Sequence, residues 1–545
     1  MWFTYGFSKG DLGNMGVLIQ VNNIHKSYGP NVIFDDASVI FASEQKIGLI
    51  GRNGAGKSTL CKMITGHEEI EAGEIRKSSD LRLSYLEQQD PFKPEETVID
   101  FLMRYTGREE WQCGEMAWRF QLHHDLLERP IKSLSGGYQT RVKLISMMLR
   151  EPNFLILDEP TNYLDLSTLI LLENFLQEYK GGFIIVSHDR EFLKRTCEET
   201  LEVENGQLTI YPGKIEDYFA FKTEQKEQAI AYNKNIEAKK KQLQRFVDRF
   251  GAKASKASQA RSKKKQIQRL KPIEIENPLA TVKIKIPGVE IRNGLAMRCE
   301  DLAVGYPEKV VAQHIRVEAL CGARVAILGD NGQGKTTFLR TIAGDLQPKS
   351  GSFRWGNNLK VAYYAQHVYQ AIDPGHDVYS YLNSKCADGI TSQEILNIAG
   401  NFLFKGEDVR KKVAVLSGGE RARLCLAGML LTKSNVLLLD EPTNHLDFET
   451  VEALGNGLKD FQGTIFFISH DRTFVNLVAT EIFDVKDGKV IRYTGDYAEY
   501  VYHLEKKVRE ESGETILEEA VPEPAKPAAN KKQADKPTKF EFDMD

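Results

Sequence analysis

Residues 16–29 read GVLIQVNNIHKSYG, with apolar and polar side chains in near alternation, and predict a half-buried strand. Four other runs are apolar without a break: KIGLI (46–50), FLILD (154–158), RVAIL (324–328) and VLLLD (436–440). Such runs are the mark of strands covered on both faces, as in a parallel sheet. Helical patterns separate them, so the expected fold class is α/β with a mostly parallel sheet.

The pattern occurs twice. GRNGAGKST begins at Gly51 and GDNGQGKTT at Gly329, an offset of 278, which SYLEQQ and YYAQH share through Gln88 and Gln366. LSGGYQTR and LSGGERAR, FLILDEPTNYLD and VLLLDEPTNHLD, and IIVSHDREF and FFISHDRTF follow at an offset of 282. Five motifs in one order define two homologous halves, 15–214 and 292–500. Residues 1–14 precede the first strand and read as a detachable extension. From 501 to 545 the chain turns to Glu, Lys, Pro and Ala, and is expected to be a charged, disordered tail.

Between the halves, residues 215–291 change character. Ile236, Leu243, Phe246, Val247 and Phe250 recur at helical intervals up to Gly251. A second, sparser seam of Ala257, Ala260, Ile267 and Leu270 runs to Pro272. Two such helices predict an antiparallel hairpin.

Charge sharpens this picture. The chain carries a formal net charge of −4, yet residues 222–271 hold 16 Lys or Arg against 4 Asp or Glu, a net +12 that leaves −16 elsewhere. Arg249, Lys253, Lys256, Arg261, Lys263, Lys264 and Lys265 crowd the expected turn. Cations spaced by small residues suit contact with nucleic-acid phosphates without reading of sequence. No apolar run reaches the length of a membrane span, and no basic stretch followed by an apolar one opens the chain, so the cytoplasm is the expected compartment. Seven scattered cysteines, never spaced C-x-x-C, argue against a disulfide framework or zinc ligation.

G-x-x-x-x-G-K-[ST] is met at Gly51–Ser58 and Gly329–Thr336. Its glycines let backbone N–H groups cradle phosphate oxygens, and the following helix presents its positive end to the same anion. ATP with Mg²⁺ is the expected ligand. Gly51, Asn53, Gly54, Gly56, Lys57, Ser58 and Thr59 form one cradle; Gly329, Asn331, Gly332, Gly334, Lys335, Thr336 and Thr337 form the other. Lys57 and Lys335 would reach the β- and γ-phosphates, with Ser58 and Thr336 on Mg²⁺. Asp158 and Asp440 end apolar strands and suit Mg²⁺ through water. Glu159 and Glu441, next along, are placed to orient and deprotonate an attacking water.

Phosphate loop, glutamine, LSGG, DEPTN-x-LD and SHD together resemble the ATP-binding cassette (ABC) ATPases over both halves. The resemblance implies adenine stacking on Tyr28 and Tyr306, and Mg²⁺ and γ-phosphate contact by Gln88 and Gln366. It also implies D-loop roles for Asp165 and Asp447 and γ-phosphate contact by His188 and His470. In that family the LSGG residues cap nucleotide held by the opposite cassette. Ser417, Gly418 and Gly419 would therefore close over ATP at Lys57, and Ser135, Gly136 and Gly137 over ATP at Lys335, within one monomeric chain. The residue after LSGG departs from the common Gln, being Tyr138 and Glu420.

Twin cassettes around a basic helical pair, with RFGAKASKASQARSKKKQIQRL at 249–270, are similar to the ABC-F proteins. That resemblance implies a cytosolic ATPase that binds the ribosomal E site and directs its linker at P-site tRNA, in contact with rRNA and tRNA. The interval between Gln88 and Ser135 is too short for the inserted arm of some members. An antibiotic-resistance factor on the same scaffold, an ATPase on branched or duplex DNA, and a transporter ATPase without its membrane partner are the other readings.

Overall fold

The computed structural model describes residues 16–86, 91–134, 136–250, 257–270, 284–290, 292–366, 368, 372–404, 406–444, 446 and 448–511. Each half is built on a six-stranded sheet. In the first the strand order is Leu83–Tyr85, Phe154–Asp158, Gly182–Val186, Lys46–Gly51, Glu199–Glu204, Gln207–Tyr211; in the second it is Val361–Tyr364, Val436–Asp440, Thr464–Ile468, Arg324–Leu328, Glu481–Lys486, Lys489–Tyr493. The first five strands of each run parallel and the last is antiparallel. Every residue of Phe154–Asp158 and Val436–Asp440 is buried, which is why these runs show no alternation.

The order of the sheet sets the function. The strand ending in the phosphate loop lies beside the strand ending at Val186. That strand in turn pairs with the one ending at Asp158, in the register Asp158↔Val186. Asp440↔Ile468 is the counterpart. Groups more than a hundred residues apart therefore meet at one carboxyl edge, where α/β sheets bind ligands.

The alternating strand at 17–28 belongs to a separate antiparallel sheet with Asn31–Ala42 and Ala72–Lys77, and Leu295–Tyr306 heads the matching sheet of the second half. These sheets pack over the phosphate-loop helix. Phe34, Phe41, Leu60, Ile64 and Leu201 share one core cluster, and Leu302, Phe338, Ile342 and Phe483 share its counterpart. The mostly parallel sheet read from the sequence is therefore one of two sheets per half.

Between the halves run helices Ile215–Phe250 and Ala257–Arg269, which contact each other. Of the expected seam, Ile236 is buried and Leu243, Val247, Ile267 and Leu270 are half-buried. The residues joining the two helices lie outside the described residues.

The first part of the expected tail is a helix, and residues 512–545 lie outside the described residues. Residues 497–511 are a helix, and Val508, 2% exposed, packs on Ile170 and Leu171 of the first half. Gln121 Nε2 donates to Val508 O at 3.2 Å, and Arg195 Nη1 meets Glu505 at 2.6 Å. This helix is the counterpart of the start of Ile215–Phe250. Tyr500 donates to Asp484, and Tyr218 likewise donates to Glu202.

Candidate nucleotide sites

The two phosphate loops are built alike. Lys57 Nζ donates to the carbonyls of Gly51 (2.8 Å) and Arg52 (3.2 Å); Lys335 Nζ donates to those of Gly329 (2.7 Å) and Asp330 (3.1 Å) and to Asn331 Oδ1 (3.3 Å). Both lysines are 7% exposed, and burial lowers the Lys335 pKa despite the acids around it. Gly56 and Gly334 cap the following helices at φ 109° and 106°. A Cβ on Gly56 would lie 2.5 Å from Ile33 Cγ2, and one on Gly334 would lie 2.4 Å from Val311 Cγ1. Only glycine meets both demands. The same contacts fix each loop to the antiparallel sheet, whose first strand ends at half-exposed Tyr28 or Tyr306. Asn53, Gly54, Thr59, Gly332 and Thr337 lie in or just after these loops.

Ser58 Oγ donates to Asp158 Oδ1 at 3.1 Å and Thr336 Oγ1 to Asp440 Oδ1 at 3.3 Å. The second oxygens, Asp158 Oδ2 and Asp440 Oδ2, are buried without a hydrogen-bond partner among the described residues. Burial raises both carboxyls, Asp440 to about 6, with the hydroxyl and lysine acting against it. A buried hydroxyl–carboxylate pair with an orphaned oxygen fits Mg²⁺, which would neutralise phosphate charge there. Gln366 follows strand Val361–Tyr364 and is exposed; Gln88 lies outside the described residues.

Glu159 and Glu441 both adopt φ 51°, a strained left-handed conformation for a non-glycine residue, held by Glu159 N–H to Val186 O (2.8 Å) and Glu441 N–H to Ile468 O (3.0 Å). Their carboxylates face histidines: His188 Nε2 to Glu159 Oε1 is 3.1 Å and His470 Nε2 to Glu441 Oε1 is 3.2 Å. Burial pushes Glu159 up to about 7 and, with Asp440 beside it, Glu441 up to about 8. Burial and the Lys335 charge push His470 down to about 3. Carboxyls raised into the neutral range are suited to take a proton from water.

The opposite half reaches the second phosphate loop. Asn331 N–H donates to Asp165 Oδ2 at 3.0 Å, and Ser167 Oγ donates to Asp330 Oδ1 at 2.7 Å. A Cβ on Gly137 would lie 2.9 Å from Asp165 Oδ2 and 3.6 Å from Asn331 Cβ, so the start of helix Gly136–Met148 sits on this loop. Burial acts to raise Asp165, but Arg141 and the donors Thr168 and Asn331 outweigh it and hold the carboxyl low. Ser167 was not legible as a site residue; its placement two residues after Asp165 is the only signal. Across the pseudo-symmetric contact Phe448 lies against His188, with ring centroids 5.7 Å apart. Leu166, the counterpart of Phe448, lines a small cavity with Lys335 and His470.

Ser417 caps helix Gly418–Leu430. Its N–H and Oγ both lie 2.8 Å from Glu420 Oε2, and its Oγ accepts from Glu420 N–H at 3.3 Å. The departure at Glu420 thus forms a capping box. At the other signature helix Tyr138 instead lies under Arg141, at 5.0 Å. Ser135 and Asp447 lie outside the described residues, as do Lys253 and Lys256 and the side chain of Arg261. Arg249, Lys264 and Lys265 are exposed, and Lys263 is half-buried with its Nζ 3.2 Å from Gln266.

The twin sites and sheets define an ATP-binding cassette protein. The family described as ABC transporter matches residues 34–162 and again 312–444, and a second pattern of the same description matches 201–286. "Probable ATP-binding protein YbiT" of Escherichia coli O157:H7 is 33% identical over 88% of this chain and 98% of its own length. "ABC transporter F family member 5" of Arabidopsis thaliana is 30% identical over 94% of this chain and 82% of its own. Among solved structures, "RNase-L Inhibitor" superposes with a TM-score of 0.60 at 22% identity, covering 89% of this chain and 93% of that one, which bears on the fold. The chain belongs to the ABC-F family of ATP-binding cassette proteins. No helix among the described residues is long and apolar enough to cross a membrane.

Proposed function

We propose that this chain is a cytoplasmic ATPase that acts on the ribosome, and that closure of its two cassettes over ATP sets the basic linker against rRNA and tRNA in the E site. The observation that carries the reading is the linker itself: two helices between twin ATP sites, with Lys239, Lys241, Arg245, Arg249, Lys264 and Lys265 exposed in a chain otherwise net acidic. Such a surface seeks phosphate.

The reading includes two composite sites. Asp165, Ser167 and Gly137 support one at Lys335; the duplicated motifs support the other, with Ser417, Gly418 and Gly419 over Lys57. ATP favours closure because its γ-phosphate gains donors only when the cassettes meet. Glu159 and Glu441 accept the proton of the attacking water, His188 and His470 beside them contact the γ-phosphate, and loss of the γ-phosphate releases the closed form.

The test is the double substitution Glu159→Gln with Glu441→Gln. It should bind ATP, lose hydrolysis on the order of 10²–10⁴-fold, and cosediment with ribosomes when ATP is present. ATP binding without cosedimentation, or capture by branched DNA in preference to ribosomes at physiological salt, would overturn the ribosomal reading.

A further inference from the structure

A cavity of about 500 Å³ opens on the first cassette, with Phe175, Tyr179 and Pro152 on its wall and Arg119, Asn153 and Ser43 around it. The duplication supplies a direct comparison. At the homologous place in the second cassette Asn435 stands for Asn153, Phe461 for Tyr179, Gly463 for Gly181 and Gly457 for Phe175.

There the groove is filled, and by the chain itself. Residues 284–290, just ahead of strand Leu295–Tyr306, lie in it. Ile284 is 4% exposed and Ile286 and Val289 pack on the same core. Asn435 Nδ2 donates to Glu290 O at 3.1 Å, and Gly457 leaves so little room that a Cβ would lie 2.4 Å from Ile284 O. Under this cover Phe461 is 6% exposed, whereas Tyr179 is only half-buried.

The entry to the two grooves is also the same. Gly294 O accepts from Cys321 N–H at 2.9 Å, and its counterpart Gly16 O accepts from Ser43 N–H at 2.9 Å. Ser43 borders the first cassette's groove, so Gly16 lies beside it. Counting back by the 278-residue offset, residues 6–12 correspond to 284–290. That stretch and the residues before it bring Trp2, Phe3, Tyr5 and Phe7 within reach. Phe175 in place of Gly457 gives the groove an aromatic wall, and Arg119 at its rim offers a cation to a ring face.

We infer that the segment ahead of Gly16 is the occupant of this groove and docks on Phe175 and Tyr179 as residues 284–290 dock on the second cassette.

Fluorine NMR of the full chain labelled with fluorotryptophan tests this, with the Trp2 signal assigned by Trp2→Phe. Trp2 should resonate away from the free-indole position and show a small solvent-isotope shift. Phe175→Ala and the exposed substitution Arg119→Glu should each move it toward the free value. Trp355, packed in the second cassette's core, reports whether each variant remains folded. A Trp2 signal at the free position in the unsubstituted chain overturns the inference. So does a protected signal indifferent to both substitutions, which puts the segment elsewhere. Protection that disappears on dilution overturns it too, by making a second copy the occupant.

Discussion

Arg472 Nη1 lies 3.1 Å from both carboxylate oxygens of Glu173, and the pair joins the two cassettes through a buried charge on each. It occurs once. The counterpart of Arg472 is Arg190, which sits over the ring of Phe219 at 4.5 Å, and the counterpart of Glu173 is Gly455. Asp189, buried, and Asp471, half-buried, cap the helices that follow His188 and His470, and burial pushes Glu173 up to about 7 against the pull of Arg472 and Arg195. Arg472→Met should cost about 3–5 kcal/mol because it leaves buried Glu173 with only the longer pair to Arg195 Nη1 at 3.6 Å, while Arg472→Met with Glu173→Leu should recover most of the loss. Urea midpoints of the three proteins decide the matter; equal midpoints for single and double variants would show that the pair is not coupled.

Gly334→Ala should abolish ATP binding at the second loop and destabilise by about 1–3 kcal/mol, since φ 106° is strained for alanine and its Cβ meets Val311. Adding Val311→Ala removes the steric part and leaves the backbone part. Partial rescue of melting temperature by the second substitution is therefore the expected result, and full rescue would show the conformation to be unstrained.

The raised carboxyl of Glu441 predicts how stability follows pH. Its pKa is about 8 in the fold against an ordinary 4.5, so the folded state holds a proton that the unfolded state has lost. The associated stability is fully present below pH 4.5 and is lost as pH rises through 8. Nucleotide-free Glu441→Gln should therefore exceed the unsubstituted protein by about 1–3 kcal/mol at pH 8.5 and converge with it near pH 5. Thermal melts across this range would refute the assignment if the gap were constant.

Reversing Arg249, Lys264 and Lys265 to Glu should weaken ribosome binding and flatten its dependence on salt, by roughly 0.7–0.9 in the log–log slope for each phosphate no longer neutralised. ATPase activity without ribosomes should be unchanged. Filter binding over a salt series gives the slope, and an unaltered slope would place the RNA-facing surface elsewhere.

The duplication, the buried strands and both phosphate loops were legible because each is a local pattern with one physical cause. Phosphate needs converging N–H groups, and a strand covered on both faces needs an unbroken apolar run. The C-terminal helix was not legible, because YAEYVYHLEKKVREE buries only a narrow stripe, with Tyr500 in the second half's core and Val508 on Ile170 and Leu171, and otherwise reads as a charged tail. One signal was present: Tyr211, Gly213 and Tyr218 recur as Tyr493, Gly495 and Tyr500 at the same 282-residue offset. The Arg472–Glu173 pair had no signal, since its members are 299 residues apart and, although Arg472 recurs as Arg190, Glu173 has only Gly455 as its counterpart.

The docking of Val508 also bears on how the molecule is made. Ile170 and Leu171 leave the ribosome long before the helix that covers them. The first lobe therefore spends most of its synthesis with a bare apolar strip, and only the end of translation seals it. A nascent chain halted near residue 490 would hold two nearly finished lobes with no clasp, and that species is the one most in need of a chaperone.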